Sequence, residues 1–208
     1  MTEEKKTSLT LYPAVESTVG KLQKDLLRPE TSSTARATLA RLRTLRGSLG
    51  LGAALEQLVL PLSERETGLG DAPSPSEQAV MDALALFATH MQGSFTSPAH
   101  TKDRTFATAC GILYRRTGSG SGSVKRRFDR AVSAVDPQTR VYYIRSLVSM
   151  LSSEGISFDY ARLACDLRRM QKNTRSVYLD ESSAGVRWGR DFARAVAGEV
   201  GSKSPTSV

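Results

Sequence analysis

Basic side chains recur along the sequence at intervals that gather them on helix surfaces. Residues three, four or seven positions apart share one face of an α-helix. Three cationic rows have this spacing: Arg36, Arg43 and Arg46; Arg162, Arg169 and Lys172; and Arg187, Arg190 and Arg194. A fourth group flanks a glycine-serine run and consists of Arg115, Arg116, Lys125, Arg126, Arg127 and Arg130. Arginine prevails in every group, and its planar guanidinium suits phosphate because it donates two parallel hydrogen bonds.

Acidic residues are too few to neutralise these cations within their own helices. No acid lies between Arg36 and Arg46, and Asp129 alone interrupts the group around the glycine-serine run. Lysine and arginine total 29 against 21 acids, which gives a net charge of +8 and a pI of about 9.8. A field of this sign attracts nucleic acid, acidic lipid or an acidic protein. Any single row also fits a solvated helix face, but four together favour a phosphate-binding surface.

Aromatic residues offer no obvious platform for stacking on unpaired bases. The candidates all fall on predicted apolar helix faces, where core packing is their expected role: Tyr114, Phe128, Tyr160, Trp188 and Phe192. Contacts would then go to the nucleic-acid backbone rather than to base edges. Binding is therefore expected to be independent of sequence and steeply dependent on salt.

Residues that could support catalysis or hold a metal are sparse. His90 and His100 have no carboxylate or cysteine at ligand spacing, and Cys110 and Cys165 are expected to be buried, reduced thiols. The glycine-serine run before Lys125 lacks the Walker pattern and follows no strand. We predict a protein without enzymatic activity or cofactor. A nuclease would need clustered acids, for which Asp159 and Asp166 are the residues to test.

The elements that carry the cations are predicted to be helices throughout. Apolar residues recur at three and four along most of the chain, and no period-two alternation predicts a sheet. The expected fold is all-α, a helical bundle in two lobes: residues 1–60, a proline- and glycine-rich linker at 61–76, residues 77–200, and a disordered tail at 201–208. Helices are expected to begin at Ser76, Ser123, Asp136 with Pro137, and Ser157.

The sequence shows neither a signal peptide nor a membrane span. Its first residues lack an apolar run, and no stretch approaches the roughly 20 apolar residues that a spanning helix needs. We expect a cytoplasmic protein with no membrane partner.

The order and spacing of several segments resemble the CasB family, the small subunit of the type I-E CRISPR complex Cascade. The segments are Arg126–Phe128, Tyr143–Val148, Phe158–Leu163 with Asp166 and Leu167, and Val186–Phe192, together with the arginine-leucine stretch Ala35–Arg46. Gly189 departs from the alanine expected there. Alternating glycine and serine is also typical of engineered linkers, but the resemblance implies a variable connection at this position, which makes a natural loop the expected interpretation.

The resemblance implies an all-helical, two-lobed subunit of a crRNA-guided surveillance complex. Its implied partners are a second copy of itself, the other Cascade subunits, crRNA within the complex, and DNA, chiefly the displaced non-target strand and also the target strand. The alternative is a helix-turn-helix transcriptional regulator, which would need base-reading polar residues at the start of a recognition helix. Neither turn, at Gly155 or at Asp136-Pro137, is followed by such a cluster.

Overall fold

The computed structural model describes residues 9–28, 30, 33–44, 62–68, 72–92, 97–118, 122–172 and 184–199. Within these ranges the chain forms eight α-helices and no β-strand, apart from two isolated bridges. The helices are α1 (Leu11–Leu26), α2 (Ser33–Thr44), α3 (Pro75–His90), α4 (Phe106–Thr117), α5 (Gly122–Ser133), α6 (Pro137–Ser153), α7 (Tyr160–Lys172) and α8 (Ala184–Ala197). The predicted all-α class is confirmed. The predicted tail at 201–208 lies outside the described residues.

Two helix starts show how capping residues select the boundary. Helix α6 begins as predicted, because the Asp136 carboxylate accepts a 2.6 Å hydrogen bond from the Thr139 amide and Pro137 occupies the first turn. Helix α3 is capped by Ser74 and not by the predicted Ser76. Only Ser74 has a glutamate three residues on, and Glu77 completes a reciprocal capping box with it.

Two further predicted starts are wrong by one to three residues. Helix α5 already includes Gly122, so Ser123 lies inside its first turn. Helix α7 begins at Tyr160 and not at Ser157, because the Asp159 carboxylate accepts a hydrogen bond of 2.9 Å from the Arg162 amide. A carboxylate at a helix N-terminus also interacts favourably with the helix dipole, which a serine hydroxyl does to a lesser degree.

The core joins helices from both predicted lobes. Helix α1 packs against α2, α3 and α7, while α4 packs against α8, α5 and α6, and α3 contacts both α6 and α7. The largest fully buried side chains include Trp188, Tyr160, Phe87 and Phe158. The boundaries of the two lobes stay a prediction, although buried residues of α1, α3, α7 and α8 belong to one hydrophobic cluster.

The described part of the predicted linker is held against the helices. Leu62 pairs with Leu9 just before α1, and the Glu66 carboxylate accepts hydrogen bonds from Arg168 of α7 at 2.7 and 2.8 Å. Ser76 at the start of α3 donates a short hydrogen bond to the same carboxylate. Burial opposes ionisation of Glu66, but the hydrogen bonds from Ser76 and Arg168 outweigh it and lower its pKa. This segment therefore ties α3 to α7.

Helices α4 and α8 approach each other unusually closely. A Cβ placed on Gly111 of α4 would lie 2.6 Å from both the Ala195 Cβ and the Phe192 carbonyl oxygen of α8. Real Cβ contacts lie at about 3.4 Å or more, so only glycine fits between these two backbones. The close approach fixes the relative position of the two helices whose C-terminal ends carry arginines.

Candidate nucleic-acid interface

Helices α4 and α8 run side by side in the same direction. At the start of α4, the Thr105 hydroxyl donates a 3.0 Å hydrogen bond to Asp191 in the middle of α8, and the Phe106 ring lies 5.0 Å from the Trp188 ring. At their C-terminal ends, the Arg115 guanidinium lies beside Gly198: a Cβ added to Gly198 would be 3.2 Å from Arg115 Nη1. The C-termini of α4 and α8 therefore meet at one end of the molecule.

Helix α5 runs antiparallel to α8 and brings its N-terminus to the same end. The Phe128 and Phe192 rings stack at 4.4 Å, and Val132 faces Gly185 near the start of α8. Tyr114 of α4 also lies against Phe192, at 5.8 Å between ring centroids. These rings pack in the core, as the sequence predicted, and only Tyr114 is partly exposed. The packing of these rings places the neighbouring cations of α4 and α5 at the same end of the molecule.

We call this surface the basic end; it consists of Arg115, Arg116, Lys125, Arg126, Arg127 and Arg194. All six are exposed except Arg127, which is half-buried. The structure thus brings together the two sides of the glycine-serine run and adds one arginine from α8. The run at 119–121 lies outside the described residues.

Several cations of the basic end are oriented by hydrogen bonds to backbone carbonyls, either of their own helix or of a neighbouring one. The Arg116 guanidinium donates a 3.2 Å hydrogen bond to the Glu154 carbonyl at the end of α6. Arg126 and Arg127 each donate to a carbonyl one turn earlier in α5, at 3.1 Å. Arg115, Arg116 and Arg194 lie in the last turns of their helices, where the dipole favours cations.

One cation of the basic end is neutralised within its own helix. Lys125 forms a 2.7 Å ion pair with Asp129, four residues on. Asp129 is the one acid that interrupts this group in the sequence, and the pair accounts for one cation of the six, so it agrees with the expectation that pairing within a helix leaves most of these charges without an acid. Because both side chains are more than half exposed, the pair is readily exchanged for contacts with another anion.

A second group of arginines surrounds a buried acid between α7 and α8, and we call it the Asp166 cluster. The side chain of Asp166 is only 7% exposed, and its carboxylate accepts hydrogen bonds from Trp188 Nε1 at 2.8 Å and Arg187 Nη2 at 2.6 Å. The Arg169 guanidinium lies 3.7 Å from the same carboxylate. Burial raises the pKa of Asp166, while the Trp188 hydrogen bond and the arginines oppose the rise.

The remaining predicted residues are distributed over α2, α5, α7 and α8. Arg36 is exposed and Arg43 half-buried on α2, while Arg46 lies outside the described residues. Arg162 is exposed on the same face of α7 as Arg169; Lys172 ends that helix, and its side chain is outside the described part. Arg130 and Arg190 are exposed on α5 and α8. Of the α2 row, the described residues Arg36 and Arg43 are not counted in the basic end or in the Asp166 cluster.

The residues considered for catalysis have structural partners. His90 Nδ1 forms a 2.8 Å hydrogen bond with the Tyr160 hydroxyl, and His100 Nδ1 accepts the Tyr160 amide proton. Asp159 caps α7 and accepts a 2.9 Å hydrogen bond from the Tyr12 hydroxyl. Among the described residues no three His, Cys, Asp or Glu side chains are grouped to hold a metal. Cys110 and Cys165 are free thiols; Cys110 is buried as predicted, whereas Cys165 is only half-buried.

Sequence reasoning missed two buried residues, one within the Asp166 cluster and one at the C-terminal end of α5. Asp166 was weighed only as a possible metal ligand, although it stands four residues after Arg162 and three before Arg169, a spacing that signals pairing on one face. Arg140 was not considered. It is 6% exposed and donates a short hydrogen bond to the Ala134 carbonyl, so it closes the end of α5.

No helix in the described ranges is long and apolar enough to cross a membrane.

The described residues therefore form an all-helical protein in which exposed cations gather at helix ends. The sequence profile of the family described as CRISPR-associated protein Cse2 matches residues 35–192. This match covers more than half of the chain, which therefore belongs to the Cse2 family.

A solved structure agrees with this assignment. The crystal structure of CasB from Thermobifida fusca is similar to this chain, with a TM-score of 0.66 and 25% sequence identity over 89% of this chain and 99% of that one. No curated protein matches the sequence. The resemblance to the CasB family that the sequence indicated is confirmed.

Proposed function

We propose that this chain is the non-catalytic small subunit of a type I-E CRISPR surveillance complex, Cascade, and that its basic end holds the DNA backbone while the R-loop forms. Membership of the Cse2 family supports a place in such a complex. The observation that carries the DNA-binding part is the convergence of α4, α5 and α8, which brings cations distant in sequence to one surface.

The energetics of R-loop formation make backbone contacts sufficient for this role. Exchanging a DNA duplex for an RNA–DNA hybrid is nearly balanced in free energy, so modest stabilisation of the displaced strand shifts the outcome. Arginines that contact phosphate provide this stabilisation without reading any base. The proposed nucleic-acid partners are the non-target strand, the target strand and crRNA within the complex. The proposed protein partners are the other Cascade subunits and a second copy of this chain.

The helix-turn-helix regulator is not favoured by the helix starts. A recognition helix exposes its first residues to base edges in the major groove. The first turn of α7 instead buries Tyr160, Ala161 and Leu163, each at 1% exposure or less. The start of α6 carries Asp136, whose negative charge would face phosphate.

Binding of unrelated DNA strands across a salt series tests the proposal. We expect similar affinities for oligothymidine and a mixed-sequence strand, with log affinity falling linearly with log salt. Charge reversal in Arg126→Glu with Arg127→Glu should weaken binding to all strands alike. It should also lower the salt slope by about 1.4, since each phosphate contact on a single strand contributes about 0.7.

The matched control reverses two exposed lysines on α1, Lys21→Glu with Lys24→Glu. This variant has the same net charge as the first, but its altered residues lie on a helix that packs against α2, α3 and α7. Equal weakening by both variants would show that only net charge matters and would refute a localised basic end. Loss of affinity for one strand sequence alone would favour base readout and the regulator.

A further inference from the structure

The Asp166 cluster combines features that a simple basic surface does not need. A carboxylate is almost completely buried beneath arginines, in a protein whose proposed ligand is itself an anion. On charge alone, an acid at this place weakens binding of nucleic acid. Burial of the charge also costs free energy, which the hydrogen bonds and ion pairs of this carboxylate must offset.

The geometry shows what Asp166 does to its neighbours. One carboxylate oxygen accepts a 2.8 Å hydrogen bond from Trp188 Nε1, and the other accepts a 2.6 Å hydrogen bond from Arg187 Nη2. The bond to Trp188 orients the carboxylate, and the carboxylate in turn orients the Arg187 guanidinium. Arg187 nevertheless keeps a third of its side chain exposed, and Arg169 keeps about half. A guanidinium has five N–H donors, so donors remain for a ligand after Asp166 is satisfied.

We infer that Asp166 is a positioning residue that holds Arg187 and Arg169 in place as a second phosphate-binding site, formed between α7 and α8 and separate from the basic end. This inference rests on the proposed function, because it assigns the site to the backbone of a DNA strand. An arginine already fixed by a carboxylate loses less side-chain freedom when it binds phosphate, so its contact contributes more to affinity. Arg162, one turn before Asp166, extends the site along α7.

The variant Asp166→Asn separates positioning from charge because the two effects have opposite signs. The substitution raises the net charge by one, so a purely electrostatic surface would bind DNA more tightly. If Asp166 positions the arginines, affinity for labelled oligothymidine should instead fall about tenfold, the effect of losing one charge-assisted hydrogen bond to phosphate. Asn preserves an acceptor for the Trp188 N–H and nearly the same volume.

Asp25→Asn is the matched control, because it makes the same charge change on α1. Asp25 is paired at 3.5 Å with Arg28, and neither residue belongs to the basic end or to the Asp166 cluster. Its affinity is expected to equal or slightly exceed that of the unaltered chain. A second test variant, Arg187→Lys, keeps the charge and removes the planar fork; its affinity should fall like that of Asp166→Asn.

Trp188 provides a readout that a merely structural role would not change. It is the single tryptophan of the chain, and its indole N–H is bonded to Asp166. Strand binding to Arg187 should shift its emission in the unaltered chain and in Asp25→Asn, and the shift should be absent in Asp166→Asn. Circular dichroism verifies that each variant is folded, and if Asp166→Asn is unfolded, Arg187→Lys decides the question.

The outcomes also separate this inference from the proposed function. Unchanged or tighter binding by folded Asp166→Asn or by Arg187→Lys, with weaker binding by the basic-end variant, overturns the second site and leaves the basic end standing. If the unaltered chain binds no strand at low salt, both are overturned. Weaker binding by both Asp166→Asn and Arg187→Lys, with the control unaffected, supports the site.

Discussion

Gly111→Ala is expected to destabilise the protein even though alanine is the better helix former. The added Cβ would lie 2.6 Å from a backbone oxygen and a Cβ of α8, where contacts of about 3.4 Å are normal. Neither obstacle is the end of a flexible side chain, so α4 and α8 would have to separate by about 0.8 Å along this line. The interface at Gly111 is buried, and the separation would loosen the packing around it.

The expected magnitude is the difference between two opposing effects. Overpacking of a well-packed core costs about 1–3 kcal/mol, and a clash with backbone lies at the upper end of this range. Alanine recovers about 1 kcal/mol relative to glycine within a helix. The net loss is therefore about 2 kcal/mol, which corresponds to a fall in Tm of roughly 4–8 °C for a chain of this size.

Gly189→Ala is the matched control in α8. Gly189 is exposed and nothing lies within 4 Å of its added Cβ, so only the helix preference remains. Its Tm should rise by roughly 2–4 °C, for a gain of about 1 kcal/mol. Thermal unfolding followed by circular dichroism measures both variants. A rise in Tm for Gly111→Ala similar to that for Gly189→Ala would refute the close approach of α4 and α8.

Two further predictions concern buried ionisable groups. Burial lowers the pKa of His90 to about 4, so the unfolded chain binds a proton below about pH 6.5 that the folded chain rejects until about pH 4. The free energy of unfolding should therefore fall as the pH drops through this window, by up to about 3 kcal/mol from His90. Urea unfolding of His90→Gln should show a smaller loss of stability over the same pH range. An equal loss in the two chains would contradict the assignment to His90. In the Glu66–Arg168 pair the Glu66 side chain is 15% exposed, so Arg168→Met leaves a largely buried carboxylate without its arginine, at a cost of about 3 kcal/mol. The double variant with Glu66→Gln should lose less than the two single variants together, and additive losses would disprove the coupling.

The sequence alone determined the all-α class, the identity of most helices and the residues of the cationic rows. Apolar spacing and cap chemistry are local, and a helix such as α6 with Asp136 and Pro137 at its start is specified by neighbours along the chain. The boundaries at Ser76, Ser123 and Ser157 were missed because several serines could cap. The choice among them depends on partners such as Glu77, or on an adjacent carboxylate such as Asp159.

Only the tertiary structure decided which cations lie together. Arg115, Arg126 and Arg194 belong to three helices, and their meeting depends on the direction of α4, α5 and α8, which local spacing does not encode. The same holds for Asp166, whose partners Arg187 and Trp188 lie on another helix. Four glycines occur within helices α1, α4 and α8: Gly20, Gly111, Gly185 and Gly189. Of these, Gly111 alone meets a neighbouring backbone, because that contact exists only once α4 and α8 have packed.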